Sequence, residues 1–463
     1  MNPYFLLPVC DQWLLYAPLS QKVAVINYTA AQAIRHRDID SCGEELRNLI
    51  HAINQNAVVP PVPRQSDIRP LFLGIIPTRG CNIGCVYCDF AGPTTEKTYM
   101  DPRIAVTAVD WMAKCMADNG EKQLQIHFFG GEPFVAPKIV DIVVHRARYQ
   151  AAKYGLTPYF DASTNGVFSA SRAHFIGDHF GGIVLSLDGP PEFQDKNRPS
   201  LNGKSTFNQI HRNLLILKDK PLDLCLRVCI TQDSVTHMEE IVQWLCETYQ
   251  PTAISLETIS PNVSIKNTEL CEPDPWLFAK HCLSAYAVAE DYGIKLVYSA
   301  AEYDQIRSSF CPVGNDAIIV SMDGRASSCY LLQDDWKSRG MDMDVGWFYP
   351  DGRVDIDFEA VTRSRQLSLD KQRCTDCFCR WSCAGGCHVN QTYRGSTTEY
   401  TKFCIQTRLI TAALLLRDMG LSSLAKDLLS DSEAMKKLAQ HSENIEFSDS
   451  SASQLSESYR VIV

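Results

Sequence analysis

The stretch Arg79–Gly92, RGCNIGCVYCDFAG, sets Cys81, Cys85 and Cys88 in a C-x3-C-x2-C array. A zinc ribbon pairs one C-x2-C with a second such pair, and three is an odd count for disulfides. Three thiolates can instead hold three corners of an iron–sulfur cube and leave its fourth iron open. The residues just before the array, LFLGIIPT (71–78), read as a buried strand. The cysteines therefore lie on the loop that leaves the strand's C-terminal end.

Outward from that loop the chain alternates. Further strand candidates are LQIHFFG (124–130), YFDASTNG (159–166), GIVLSLDG (182–189), LCLRVCIT (224–231) and AISLETIS (253–260). Helical patterns such as Arg103–Ala117, Lys138–Tyr154, Phe207–Leu217 and His237–Thr248 fall between them. Strands alternating with helices imply a parallel sheet with right-handed crossovers. The fold class is α/β, and six units predict a partial (β/α)6 barrel over 71–310. Its active site should lie at the C-terminal strand ends.

The flanks differ from this middle. Leu6–Val9, Trp13–Tyr16 and Val23–Ile26 read as three short strands, and Leu46, Leu49, Ile50 and Ile53 mark one helical face. Residues 1–58 are thus expected to form a small α+β module, joined through a Pro-rich linker at 59–70. After Phe310 the alternation stops. Cysteines, glycines and turns fill 311–430, which ends in a helix around Leu409–Met419. Residues 431–463 are Ser- and acid-rich and are expected to form a mobile tail.

With 45% hydrophobic and 21% charged residues, the 463-residue chain has an ordinary globular composition. Its net charge of −10 argues against a nucleic-acid partner. No apolar run approaches the roughly 20 residues of a membrane span, and the N-terminus does not read as a signal peptide. A cytoplasmic location is expected. There nineteen cysteines are better read as metal ligands than as disulfides. Cys10, Cys42, Cys115, Cys225, Cys229, Cys246, Cys271 and Cys282 are scattered and read as small core hydrophobes. The remainder cluster.

Cys81, Cys85 and Cys88 resemble the cluster motif of the radical S-adenosylmethionine (radical SAM) enzymes. In that family C-x3-C-x2-C binds a 4Fe–4S cluster whose open iron holds S-adenosylmethionine. Further matches follow at successive strand ends. Tyr87 takes the aromatic position near the adenine. Gly130, Gly131 and Glu132 of GGEP resemble the motif that meets the methionine amino group. Ser163 and Asn165 of STNG come next, then Ser186 and Asp188 of SLDG. Arg198 would pair the cofactor's carboxylate; four residues before it, Gln194 stands where the family usually has His.

The second cysteine set runs Cys311, Gly324-x4-Cys329, Cys374-x2-Cys377-x5-Cys383-x3-Cys387 and Cys404. It resembles the SPASM extension of radical SAM enzymes that modify peptides and proteins. The resemblance implies two auxiliary 4Fe–4S clusters, three clusters in all. Cys374, Cys377, Cys383 and Cys404 would hold one; Cys311, Cys329 and Cys387 would hold the other. The fourth ligand of the second could be Cys379, a non-cysteine side chain, or none.

The implied chemistry is cleavage of S-adenosylmethionine to a 5′-deoxyadenosyl radical that abstracts hydrogen from substrate. The expected substrate is a ribosomally made precursor peptide, with the N-terminal module as a winged-helix-like leader-binding unit. Flavodoxin or ferredoxin would supply electrons. One alternative is the anaerobic sulfatase-maturing group, which makes formylglycine and carries a catalytic Asp where this chain has Tyr330. Another is an iron–sulfur electron carrier, which would need neither GGEP nor Arg198.

Overall fold

The computed structural model of this chain describes residues 4–36, 38, 43–64, 68–88, 90, 98–259, 270–311, 316–331, 336–337, 340–366, 371–392, 399–441 and 461–462. The N-terminal strands β1 (Phe5–Val9), β2 (Gln12–Ala17) and β3 (Lys22–Ile26) form an antiparallel meander, followed by helices Tyr28–His36 and Glu44–Asn56. One sheet face packs on these helices, burying Leu6, Leu15 and Ala24 against Ile34, Leu46, Leu49, Ile50 and Ile53. The other face, with Phe5, Leu7, Val9, Leu14 and Tyr16, joins the core of the main body. Alternate strand residues point to opposite faces, so the apolar residues on both sides of β1 and β2 require covering on both. The module is therefore built into the body rather than tethered to it.

Seven parallel strands make the barrel wall: β4 (Leu73–Ile75), β5 (Gln123–Phe128), β6 (Thr157–Thr164), β7 (Gly182–Ser186), β8 (Asp223–Ile230), β9 (Ala253–Thr258) and β10 (Lys295–Val297). The first six are those expected from the sequence. Helices begin at capping signals the sequence carries: Asp101 before Pro102–Asp118, Ser169 before Ala170–His179, and Asp274 before Pro275–Asp291.

The sheet does not end at residue 310. Beyond β4, β11 (Ile318–Val320) adds in parallel, and β12 (Arg325–Ser327), β13 (Asp344–Phe348) and β14 (Val354–Ile356) continue as an antiparallel meander. One eleven-stranded sheet thus runs from barrel into extension. Asp316, just before β11, is gripped by Arg365 of helix Phe358–Gln366 through two bonds of 2.5 and 2.6 Å, both side chains being buried. Arg365 also donates to the Arg64 carbonyl, so the Pro-rich connection is tied down too.

The segment from Asp431 is not wholly a tail. Asp431 caps a helix at Ser432–Gln440, which buries Ala434, Met435 and Leu438 and packs beside β1. Val461–Ile462 (β15) pairs antiparallel with the outer edge of β3. Residues 442–460 lie outside the described residues. Among the described residues no helix is long and apolar enough to cross a membrane.

Candidate active site and auxiliary cysteine groups

A cavity of about 290 Å³ opens at the C-terminal ends of the barrel strands. Cys81, Cys85 and Cys88 line it, with Tyr87, Gly130, Gly131, Ser163, Asn165, Ser186 and Arg198. The cysteine loop is strapped to the segment that carries Arg198. Gly84 N–H donates to the Pro199 carbonyl at 2.7 Å, and Val86 N–H to that of Asn197 at 2.9 Å. This strap explains how residues over a hundred positions apart share one wall. Asn165 donates to the Cys81 sulfur at 3.5 Å and to Asn82 Oδ1 at 2.8 Å.

Arg198 Nη1 donates to the Tyr87 hydroxyl at 2.9 Å, and that hydroxyl donates to Asp188 Oδ2 at 2.7 Å. Arg198 Nε is buried and has no hydrogen-bond partner among the described residues. A buried unpaired guanidinium N–H is costly unless something else accepts its proton. It suits the carboxylate of an amino-acid ligand. Gly131 lets the cysteine loop close on the end of β5: a Cβ there would lie 2.3 Å from the carbonyl oxygens of Arg79 and Gly80.

Two expected contacts fall elsewhere. Glu132 does not line the cavity. Its carboxylate is fully buried and accepts from Thr164 Oγ1, Asn165 N–H and Phe134 N–H, tying the end of β5 to the end of β6. Burial pushes its carboxyl up to about 7. Asp188 is also buried behind the wall and meets the cavity only through Tyr87. Gln194 orients this region: its Oε1 accepts from Asp188 N–H, and its Nε2 donates to Thr206 Oγ1.

The cavity also contains residues not anticipated. Arg227 and Cys229 line it from β8, Thr258 and Ile259 from the end of β9, Phe129 from the residue after β5, and Asn390 from the extension. Cys229 is thus no core filler, though Cys246 and Cys282 are. Cys10 and Cys271 are exposed, and Cys42 lies outside the described residues.

In the extension the thiols fall into two groups. Cys383 has Cys404, Cys374 and Cys377 as electrostatic neighbours, and Cys329 has Cys387 and Cys311. These are the two sets implied by the SPASM spacing. Cys379 does not join the triad of Cys329: it is buried beside Cys377, Arg408 and Thr411. Arg408 Nη1 donates to the Cys377 sulfur at 3.1 Å, and its guanidinium is sandwiched between the Phe378 and Tyr400 rings. The Cys379 thiol and Arg408 hold the Cys377 thiol well below its usual range. Lys371 is buried and donates to the carbonyls of Gly385 and Gly386, which fixes the turn between Cys383 of one group and Cys387 of the other. Thr401 caps the helix Lys402–Asp418 and accepts from Cys404 N–H, setting that thiol in the first turn.

Burial pushes the Cys81 thiol up to about 11 and the Cys85 thiol up to about 12. Such thiols ionise when a cationic centre binds them. Among the described residues, no three His, Cys, Asp or Glu converge as a single ion requires. Thiols that each bind a different corner of a cube stand further apart. The all-thiol donor sets and the orphaned Arg198 Nε fit clusters and an amino-acid-bearing ligand.

Tyr330, next to Cys329, does not reach the cavity wall. Its ring stacks on Phe72 and packs on Phe129 at 4.6 Å, and its buried hydroxyl has no partner among the described residues.

Residues 75–245 match the model of the radical SAM superfamily. The cysteine-type anaerobic sulfatase-maturating enzyme of Clostridium perfringens (strain 13 / Type A) is 23% identical over 357 residues, 72% of this chain and 94% of that protein. Native anSMEcpe with bound AdoMet and Cp18Cys peptide has a similar fold, with a TM-score of 0.61 at 20% identity over 77% of this chain and 99% of that one. Streptococcus suis SuiB bound to its precursor peptide SuiA gives 0.52 at 14% identity, over 86% and 100%.

Proposed function

From the premise that this chain carries a radical SAM domain, we propose that it is a maturase of a ribosomally made precursor peptide. It would abstract hydrogen from one residue and leave a crosslink or another side-chain modification, as an oxidoreductase with three 4Fe–4S clusters. When bound, the first cluster and S-adenosylmethionine supply the 5′-deoxyadenosyl radical. Arg198 Nε–H would donate to the carboxylate of that ligand, and Tyr87, itself bonded to Asp188, holds the guanidinium in place. Ser163, Asn165 and Ser186 offer hydrogen bonds to its polar atoms. Phe129 and Ile259 line the cavity and would keep water from the reacting carbon.

The observation that carries this reading is the single cavity shared by Cys81, Cys85, Cys88, Arg198 and Asn390. Asn390 lies three residues beyond Cys387, so the extension meets substrate where hydrogen would be taken. Peptides bound to anSMEcpe and SuiB support a peptide or protein substrate. Flavodoxin or ferredoxin would reduce the clusters in the cytoplasm.

Formylglycine formation is the second reading, favoured by the sulfatase-maturating relative that aligns over 94% of its own length. Tyr330 weighs against it. Its side chain is packed among Phe72, His127 and Phe129, so it cannot take the place of a cavity-facing base.

The test is direct. Anaerobically reconstituted protein should bind about twelve irons and, with dithionite and S-adenosylmethionine, release 5′-deoxyadenosine. Replacing Cys81, Cys85 and Cys88 together by Ala should remove about four irons and all cleavage. Retained cleavage would sink the assignment. A neighbouring short gene encoding a peptide that is altered on incubation, a crosslink by the loss of two hydrogens, would separate the first reading from formylglycine, which needs a sulfatase peptide.

A further inference from the structure

His388 follows Cys387 directly and is 2% exposed. Its Nε2 lies 3.2 Å from the Ser309 hydroxyl, and that hydroxyl donates to the Cys311 carbonyl at 2.8 Å. A serine hydroxyl has one proton, and a carbonyl can only accept. The proton between Ser309 and His388 therefore belongs to the imidazole, on Nε2. Nδ1 is left with a bare lone pair, buried, and with no hydrogen-bond partner among the described residues.

The ring is attached at both sides to the thiol triad. Its own backbone continues from Cys387, and its Nε2–H reaches the Cys311 carbonyl through Ser309. Ligating histidines characteristically donate the remote ring N–H in this way, which sets the tautomer and the ring plane. Imidazole nitrogen is an accepted ligand for iron, in iron–sulfur centres included. Three thiols leave one corner of a cube unfilled, and Cys379 lies beside Cys377 and Arg408 instead.

We infer that His388 Nδ1 is the fourth protein ligand of the auxiliary cluster held by Cys311, Cys329 and Cys387. This rests on the two-auxiliary-cluster reading above. The bond is a lone-pair donation from Nδ1 to iron; no proton moves, because Nδ1 carries none. That cluster is then closed to substrate, and its task is to carry electrons.

The experiment uses full-length protein with Cys81, Cys85 and Cys88 replaced by Ala and Cys374→Ala added, so that one cluster remains. The protein is grown with 15N-histidine, reconstituted anaerobically, reduced, and read by pulsed electron paramagnetic resonance. A strongly coupled 15N on the cluster signal is expected. His388→Cys should keep the iron and lose that coupling. His388→Ala should lose it and regain a nitrogen coupling on addition of free imidazole. Absence of a directly coupled nitrogen in the parent protein would overturn the assignment, as would the same coupling persisting in His388→Cys. Little iron in the parent would instead overturn the underlying two-cluster reading.

Discussion

In the barrel, Cys81, Cys85 and Cys88 ride on one short loop, and a parallel sheet buries Leu73, Ile75, Leu124, Ile126 and Leu185 behind it. In the extension, seven thiols arrive from four separate stretches, at 311, 329, 374–387 and 404. Hydrophobic burial, the backbone strap to 197–199 and one buried cation, Arg198, hold the first arrangement. The second also buries four cations: Arg365 on Asp316, Lys371 on two carbonyls, Arg373 on the Gln391 carbonyl, and Arg408 on Cys377. Buried cations cost desolvation unless fully partnered. The barrel therefore organises its site from the sheet outward, whereas the extension depends on its ligands and their partners for order.

Metal removal is the strongest way to break this contrast. Stripping the iron with a chelator should leave amide protection in β4–β9 close to that of the loaded protein. It should cut protection across 371–392 and 399–408 by orders of magnitude, because binding energy at such sites is also folding energy. Hydrogen exchange with mass spectrometry reads both regions in one sample. Equal loss in barrel and extension would erase the distinction.

Deleting residues 1–58 comes next. Phe5 and Tyr16 each meet the Phe378 ring at 6.5 Å, directly between Cys377 and Cys379. Phe5, Leu7, Leu14 and Tyr16 would be lost from the core at about 1.5–3 kcal/mol each, more than the extension can spare. The truncated protein should keep the iron at Cys81, Cys85 and Cys88 but lose that at Cys374, Cys377, Cys383 and Cys404. Undiminished auxiliary iron would show the module to be separable from the extension. Leader capture by strand addition at β3 would in turn have to displace Val461–Ile462.

Arg365→Met is smaller and more local. It leaves Asp316 buried without its cation, a loss of about 3–5 kcal/mol. Asp316 retains one bond, from Arg69 N–H. The unfolding midpoint should drop, and the additional Asp316→Asn change should recover part of it. No change in Arg365→Met would mean that the junction between β11 and helix Phe358–Gln366 bears little of the load.

The same contrast decides what could be read from the sequence. Strands β4–β9 announce themselves because each lies in a largely apolar stretch bounded by turn residues, even β4, whose three residues sit inside LFLGIIPT. Strands β10, β11, β12 and β14 are three residues long, too short for any period to register, so the extension looked like turns. The SPASM spacing still sorted its thiols into the two groups the structure brings together. Arg227 and Cys229 were within reach, since Cys225, Arg227 and Cys229 alternate along β8 and must share its inner face. Asn390 carried no such signal; only folding brings it to the barrel mouth. Glu132 was misplaced because a motif places the residue but not its side chain, and this carboxylate turns inward to Thr164 and Asn165. Helix Ser432–Gln440 was hidden by its polar composition, although Asp431 is an N-cap and Ala434, Met435 and Leu438 fall on one face.

The smallest expected effect tests how far the barrel site is pre-formed. Tyr87→Phe removes one oxygen. That oxygen accepts from Arg198 and donates to Asp188, so the change leaves a buried guanidinium N–H and a buried carboxylate oxygen each short of a partner. Asp188 still accepts from Cys229 N–H at 3.1 Å, and the loop strap to 197–199 is untouched, so the fold and the cysteine geometry should survive. A lost hydrogen bond to a charged group is worth about 1.5–3 kcal/mol. If half of that reaches the bound ligand, affinity for S-adenosylmethionine falls by about three- to tenfold, since about 1.4 kcal/mol is a factor of ten. Iron content should be unchanged. Isothermal titration of the reconstituted variant with S-adenosylmethionine measures the loss. An unaltered affinity would mean that Arg198 is held without Tyr87, and that burial alone orders the barrel site.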